Sequence, residues 1–241
     1  MNDVAMAQAV QSAAKPKFRG HIALKSKVVT HYPTNLAREY TRITNTYMTT
    51  LNKTMAEYLP VVRRAIDAER AGMRRDDVRY VLRIIREAFT SMHSKFEEGA
   101  RLFGLERKLK NLANMTSKLS IREWKRVVHK TLGIDIMDDY YKGEFSRAAL
   151  DLWTTNNVSL IKTIPQDTLA KMQSIVQEGY LAGKSNTAIG REIQEAYGTE
   201  RGHAQFIARD QIAKLNADLT QSQQKDAGVE DSTRAGALNI Q

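Results

Sequence analysis

Apolar residues recur at steps of three and four along most of this chain, and only four prolines interrupt its 241 residues. Between residues 35 and 59 the apolar positions follow one another at steps of 4, 3, 4, 4, 4 and 3, which is the spacing of one helix face. Clusters of β-branched residues, which mark strands, are few and short. The sequence therefore predicts a mainly α, elongated protein built from several helices.

Local signals divide this pattern into separate helices. Proline suits the first turn of a helix, glycine its C-terminal end, and a hydroxyl side chain its N-cap. The predicted helix starts are Pro60, Ser120, Pro165, Ser185 and Thr199, and the predicted ends are Gly72, Gly133, Gly183 and Gly198. On this interpretation residues 146–183 form a helical hairpin, and the last helix covers residues 200–224.

Five regions follow from these boundaries and from changes in composition. We expect a basic, partly disordered N-terminal arm (1–34), a basic helical domain (35–133), a connector (134–154), a second helical module (155–229) and a C-terminal tail (230–241). Apolar residues make up 42% of the sequence, which is enough to build a core. Cysteine is absent, which excludes disulfides and thiolate chemistry.

The charge is unevenly distributed. Residues 1–150 hold 28 basic and 16 acidic side chains, a net of +12, whereas residues 151–241 hold 9 and 11, a net of −2. This asymmetry indicates an N-terminal part that faces a polyanion and a C-terminal part that faces protein. The alternative is a charge excess that serves solubility alone.

A row of arginines is the main candidate for contact with nucleic acid. On a helix that begins near Asp76, four arginines occupy an arc of about 80°, beside an apolar arc of about 120° that should be buried. The apolar arc holds Val78, Val81, Leu82, Ile85, Ala88, Phe89 and Met92. Together with the basic arm, the candidate DNA-binding residues are Arg75, Arg79, Arg83, Arg86, Lys15, Lys17 and Arg19. Alternatively, the arginines form a solvated shoulder whose alkyl stems cover the core edge.

Catalytic and metal-binding motifs are missing from the sequence. The five histidines are scattered without metal-ligand spacing, and no P-loop, dinucleotide fingerprint or nucleophile elbow occurs. The adjacent Asp138 and Asp139 are typical of a turn or a helix start. We therefore expect no enzyme, metal, cofactor or small-molecule substrate. The N-terminus lacks the apolar stretch of a signal peptide, and the chain has no apolar run of membrane-spanning length, so we expect no membrane partner.

Residues 183–197 offer a second functional interpretation. A short helix, a tight turn and a second helix are the parts of a helix-turn-helix unit, which would make the chain a DNA-binding regulator. The second helix carries Arg191 but also Glu192 and Glu195. Acidic side chains make a poor surface for the major groove, so this interpretation is the weaker one.

Residues 156–229 show an order of parts that resembles a known family. An Asn precedes "LIKTIP", a helix ends in "GYLAGKS", "IGREIQEAYG" follows, and the last helix carries "IARDQIAKLNADLTQSQQKDAGV". The segment resembles the shared module of tailed-phage minor head proteins, the head-morphogenesis family named for its phage Mu member. Two features depart from the family. Arg209, Asp210 and Gln211 stand where Arg-Thr-Glu is usual, and "EDSTRAGALNIQ" stands where family members commonly continue into a segment with a tryptophan, acidic residues, Arg and His.

The resemblance implies a structural virion protein at the portal vertex, with a role in head assembly and in DNA packaging or release. Its implied partners are the portal protein, other capsid or scaffold proteins, and double-stranded DNA without sequence preference. Its implied location is the virion, after assembly in the host cytoplasm. The last helix would then present a packing surface to other proteins, and the candidate interaction residues are Ile207, Ile212, Leu215 and Leu219.

Overall fold

In a computed structural model of the protein, residues 8–10, 12–13, 31–72, 78–135 and 144–227 are described. These residues form no strand, so the mainly α prediction is confirmed. Their five long helices are α1 (Thr34–Arg70), α2 (Val78–Phe103), α3 (Leu105–Leu132), α4 (Glu144–Leu181) and α5 (Asn186–Asp226).

Four predicted helix starts lie inside longer helices and were wrong. Pro60 lies within α1, Ser120 within α3, Pro165 within α4 and Thr199 within α5. The predicted end at Gly198 and the predicted hairpin over 146–183 are therefore wrong as well. Buried apolar residues continue on both sides of each position, and their burial outweighs a cost of about 1 kcal/mol for glycine or about 3 kcal/mol for proline inside a helix.

The helix ends at Gly72, Gly133 and Gly183 were predicted correctly. All three glycines have positive φ, at 67°, 79° and 70°, a region that L side chains rarely adopt. A fourth glycine, Gly104, has a φ of 65° and separates α2 from α3. The glycines that end helices therefore differ from Gly198 in backbone conformation.

The chain packs into two compact units. Unit 1 comprises Met1–Glu39, Leu109–Thr155 and Arg209–Gln241, and unit 2 comprises Tyr40–Lys108 and Asn156–Ala208. Each unit is assembled from segments that are distant in sequence, whereas the sequence led us to expect contiguous domains. The second half of the predicted connector 134–154 belongs to α4, which begins at Glu144.

The core of unit 2 contains an aromatic cluster. The Tyr47 ring lies edge-on to Phe96, with ring centres 5.3 Å apart, and 5.5 Å from the Phe103 ring. Burial, reinforced by the negative charge of Glu97, raises the pKa of Tyr47 to about 12, so its hydroxyl stays neutral at physiological pH. The other fully buried large side chains of unit 2 are Tyr40, Met48, Leu51, Met55, Ile66, Ile85, Met92, Ile161 and Met172.

The core of unit 1 is built from α3 and from the ends of α4 and α5. Nε1 of Trp153, on α4, donates a hydrogen bond of 3.2 Å to the Gln211 carbonyl on α5. The predicted N-cap Ser120 is buried instead, and its hydroxyl donates to Oε1 of Gln223 at 3.2 Å. Buried apolar side chains of this unit include Leu109, Leu112, Trp124, Val127, Val128, Leu150, Ile212, Leu215 and Leu219.

Candidate nucleic-acid interface

The arginine row predicted from the sequence lies along the exposed side of α2. Arg79, Arg83 and Arg86 are all exposed. Arg83 also has partners on its own helix, because its guanidinium lies 5.3 Å from the Tyr80 ring centre and its Nε lies 3.8 Å from Glu87. The other candidates, Arg75, Lys15, Lys17 and Arg19, lie outside the described residues.

The apolar arc beside these arginines is buried as predicted, except at its beginning. Val81, Ile85, Ala88, Phe89 and Met92 are buried, whereas Leu82 is half-buried and Val78 is 44% exposed. Val78 is the first residue of α2, so it extends beyond the packed part of the helix. The arginine row therefore borders a true core face.

A second basic surface, which the sequence analysis missed, lies on α3 in unit 1. Lys118, Arg122, Lys125 and His129 follow one another at steps of 4, 3 and 4, so they share one face of the helix. We call this set the α3 basic face. Lys118, Arg122 and His129 are exposed and Lys125 is half-buried. The predicted N-cap at Ser120 cut this pattern in two, whereas the same spacing test applied to 105–132 would have found it.

Acidic side chains near the α3 basic face are already engaged. Glu123 accepts hydrogen bonds from Arg126, at 2.6 Å from Nη2, and from the backbone N–H of His31 at 3.4 Å. Burial alone would raise the pKa of Glu123, but these hydrogen bonds and the Arg126 charge outweigh it and hold the pKa below its usual value. The carboxylate is therefore ionised and neutralised within unit 1. Nδ1 of His129 pairs with Asp135 at 2.8 Å.

The segment "GYLAGKS", part of the resemblance, forms a tight turn between α4 and α5 in unit 2. The Lys184 N–H donates to the Gly179 carbonyl at 2.9 Å and the Gly183 N–H to the Tyr180 carbonyl at 3.0 Å, which is a Schellman motif. Ser185 then caps α5, because its Oγ accepts a hydrogen bond from the Ala188 N–H at 3.2 Å. This N-cap prediction is confirmed.

Polar contacts attach this turn to the end of α1. Nη2 of Arg70 donates to the Lys184 carbonyl at 2.7 Å, and Nδ2 of Asn186 donates to Oδ1 of Asp67. Lys184 in turn pairs with Glu192 at 2.7 Å. Asn186 and Glu192, in the first turns of α5, are thus engaged with protein, whereas Arg191 is exposed. In addition, α5 continues for 41 residues, whereas the sequence predicted a short helix here.

The asparagine of the resembling segment also has a packing role. Asn157 is 1% exposed, and its Oδ1 accepts a hydrogen bond of 2.7 Å from the Tyr40 hydroxyl. Burial raises the pKa of Tyr40 far above its ordinary value, so the hydroxyl keeps its proton. This buried contact joins α4 to α1 inside unit 2.

The predicted interaction residues Ile207, Ile212, Leu215 and Leu219 are all buried within the chain. They serve the cores of the two units, so a partner protein would meet other side chains of α5. Phe206, on the same helix, is 69% exposed and is the large apolar side chain that α5 offers to solvent in its described part.

An apolar groove of about 350 Å³ is also present in unit 2. Its lining comes from α1, α4 and the start of α5, and it includes Val62, Ile66, Val176 and Ile193. Arg63 and Asn186 are its polar residues. Such a lining lacks the converging acid, base and nucleophile that a catalytic pocket needs.

Within the described ranges, no group of three or more His, Asp or Glu is arranged to hold a metal ion. None of the helices in the described part of the chain combines the length and the apolar character needed to cross a membrane.

Comparisons with known proteins add one relative. No protein-family model matches the chain, and no solved structure matches it. An uncharacterized protein of Haemophilus influenzae is 26% identical over 168 residues, which cover 70% of this chain and 38% of that protein. The chain thus spans little more than a third of that relative's length.

Proposed function

We propose that the chain is a structural minor head protein of a tailed bacteriophage. In this proposal it sits at the portal vertex of the virion, contacts the portal protein and other capsid or scaffold proteins, and takes part in head assembly and DNA packaging or release. It touches double-stranded DNA without reading its sequence, and it catalyses no reaction.

The observation that carries the proposal is the order of parts in residues 156–229. The tight turn from Gly179 to Ser185, the capped start of α5 and the buried Asn157 use the residues on which the resemblance rests. These residues build and hold packed helices, which supports a structural role over a catalytic one.

The charge distribution supports the DNA half of the proposal. The net charge of +12 in residues 1–150 accompanies exposed basic side chains on α2 and α3. Contacts between such side chains and phosphates release counterions, so they give affinity without sequence preference and weaken as salt rises.

The virion half is tested by sedimentation. A tagged copy of the chain is expressed during growth of the phage whose genome encodes it, and particles and empty precursors are separated on a density gradient. We expect the chain in both, at far fewer copies than the major capsid protein. A chain found only at the top of the gradient, with the soluble proteins, would contradict the proposal.

Selection from a pool of random duplexes separates the proposal from the regulator hypothesis. A minor head protein should recover duplexes without a shared sequence. Recovery of one preferred sequence, lost when Arg191 is replaced by Ala, would favour a helix-turn-helix regulator instead.

A further inference from the structure

Helix α3 is the most one-sidedly charged of the five long helices in the described chain. It contains eight Lys and Arg side chains and two acids, Glu106 and Glu123. Glu123 is bound by Arg126 and His31, and Lys110 pairs with Asp151 at 2.9 Å. Lys118, Arg122 and Lys130 form no ion pair with any residue in the described ranges.

The arginine row of α2 has a different environment. Glu87 lies one turn from Arg83 and pairs with it at 3.8 Å. Over the whole of α2, five Lys and Arg stand against three acids. The positive field above α2 is therefore weaker than the field above α3, although the sequence analysis singled out α2.

The spacing of the α3 basic face suits a phosphate backbone. From Lys118 to His129 the helix rises about 17 Å, a distance over which duplex DNA presents about ten phosphate charges. Neighbouring side chains of this face are separated by about 5 to 6 Å along the helix axis. Several of them can therefore contact phosphates at the same time.

An anionic membrane or a protein partner suits this face less well than a nucleic acid does. A helix that lies on an anionic membrane inserts its apolar side into lipid, but the apolar side of α3 is occupied by the core of unit 1, including Trp124 and Val128. A protein partner would need apolar anchors, and Met115 is the one large apolar side chain that α3 exposes.

We propose that the α3 basic face, formed by Lys118, Arg122, Lys125 and His129, is the principal phosphate-binding surface of the protein, ahead of the arginine row on α2. It binds the backbone of duplex nucleic acid without reading bases. This inference rests on the DNA contact in the proposed function and identifies the residues that make it.

Two variants with equal loss of charge test the inference. The α3 variant carries Lys118→Gln, Arg122→Gln and Lys125→Gln, and the α2 variant carries Arg79→Gln, Arg83→Gln and Arg86→Gln. The dissociation constant for a fluorescent 30-base-pair duplex of arbitrary sequence is measured by anisotropy between about 50 and 200 mM salt. A charge-preserving control carries Lys118→Arg, Arg122→Lys and Lys125→Arg, and circular dichroism checks that all variants fold.

We expect the α3 variant to flatten the slope of log affinity against log salt by about 2.7, which is three phosphate contacts at about 0.9 each. The α2 variant should flatten it by less than about 1, and the charge-preserving control should behave as the wild type. Equal losses in the two variants, or a larger loss in the α2 variant, would overturn the inference and leave the DNA contact intact.

Absence of DNA binding by the wild type would overturn the inference together with the DNA half of the proposed function. Binding of the wild type and the α3 variant to vesicles that contain an anionic phospholipid is measured as well. If the α3 variant loses vesicle binding but keeps the DNA affinity of the wild type, the face binds a membrane surface and the inference is wrong. If the α3 variant does not fold, single replacements of Lys118 and Arg122 are measured against single replacements of Arg79 and Arg83 by the same criterion.

Discussion

Ile189 lies so close to Gly179 that a Cβ atom at position 179 would come within 2.7 Å of Cγ1 of Ile189. The backbone of Gly179 is helical, near the end of α4, so the glycine is needed there for space and not for an unusual φ. Ile189 is 4% exposed and has little room to withdraw. The turn that attaches α5 to α4 therefore depends on the absence of one methyl group.

We expect Gly179→Ala to lower the free energy of unfolding by about 1 to 2 kcal/mol. Overpacking a core typically costs about 1 to 3 kcal/mol, and the better helix propensity of alanine returns less than about 1 kcal/mol. Urea unfolding followed by circular dichroism measures the change. In an Ile189→Ala background the cost should shrink, because the clashing atoms are gone. A stabilised Gly179→Ala protein would contradict the close approach.

Gly198 offers the opposite expectation. A Cβ atom at this position would meet nothing within 4 Å, and the residue lies inside α5 without a positive φ. Gly198→Ala should therefore raise the free energy of unfolding by about 0.5 to 1 kcal/mol, through helix propensity and a less flexible unfolded chain. If a helix ended at Gly198 with a left-handed backbone, as the sequence analysis predicted, the same substitution would destabilise the protein.

Gly198 and Gly183 illustrate what the sequence could predict. Both follow helical patterns, yet only Gly183 ends a helix. What separates them is whether buried apolar residues continue on the far side in register, as Ala204 and Ile207 do after Gly198. That register depends on neighbouring helices, which periodicity in one segment does not reveal. The mainly α class and three of the helix ends could therefore be predicted from the sequence, whereas the lengths of α1, α3, α4 and α5 could not.

The basic residues of the candidate site could likewise be predicted only where the helix boundaries were predicted correctly. Arg79, Arg83 and Arg86 were predictable because no false stop signal lies between them, and the structure leaves them exposed. Lys118 and Arg122 were missed because Ser120 looks like an N-cap while its hydroxyl in fact bonds Gln223. The sequence does not show that Ser120 forms a buried tertiary hydrogen bond, so the α3 basic face was divided between two predicted helices.

Tyr40→Phe tests the buried contact with Asn157. The substitution removes the hydroxyl that donates to Oδ1 of Asn157 at 2.7 Å and leaves that acceptor buried. We expect a loss of about 1 to 3 kcal/mol in the free energy of unfolding. Tyr197→Phe is the matched control, because its hydroxyl donates to the Met48 carbonyl at 3.1 Å in a half-buried position and should cost less. Equal losses in the two variants would show that the buried contact with Asn157 stabilises the protein no more than the half-buried contact with Met48 does.

Glu123 should make the stability of the protein sensitive to acid. Its pKa in the folded protein lies below the usual value of 4.5, because the hydrogen bonds from Arg126 and His31 outweigh the effect of burial. The unfolded chain therefore binds a proton at higher pH than the folded chain does. The stabilisation is fully present above about pH 5 and is lost as the pH falls through the folded pKa.

Glu123→Gln should remove this dependence. We expect the variant to be less stable than the wild type by about 1 kcal/mol at pH 7, since charged hydrogen bonds become neutral ones. The difference between the two proteins should shrink as the pH is lowered from about 5 to about 3, because the wild-type carboxylate is protonated there. Urea unfolding at a series of pH values measures it. Glu87→Gln, at an exposed carboxylate, is the control and should change little. Parallel pH profiles for the wild type and Glu123→Gln would mean that the Arg126 and His31 contacts do not stabilise the ionised carboxylate.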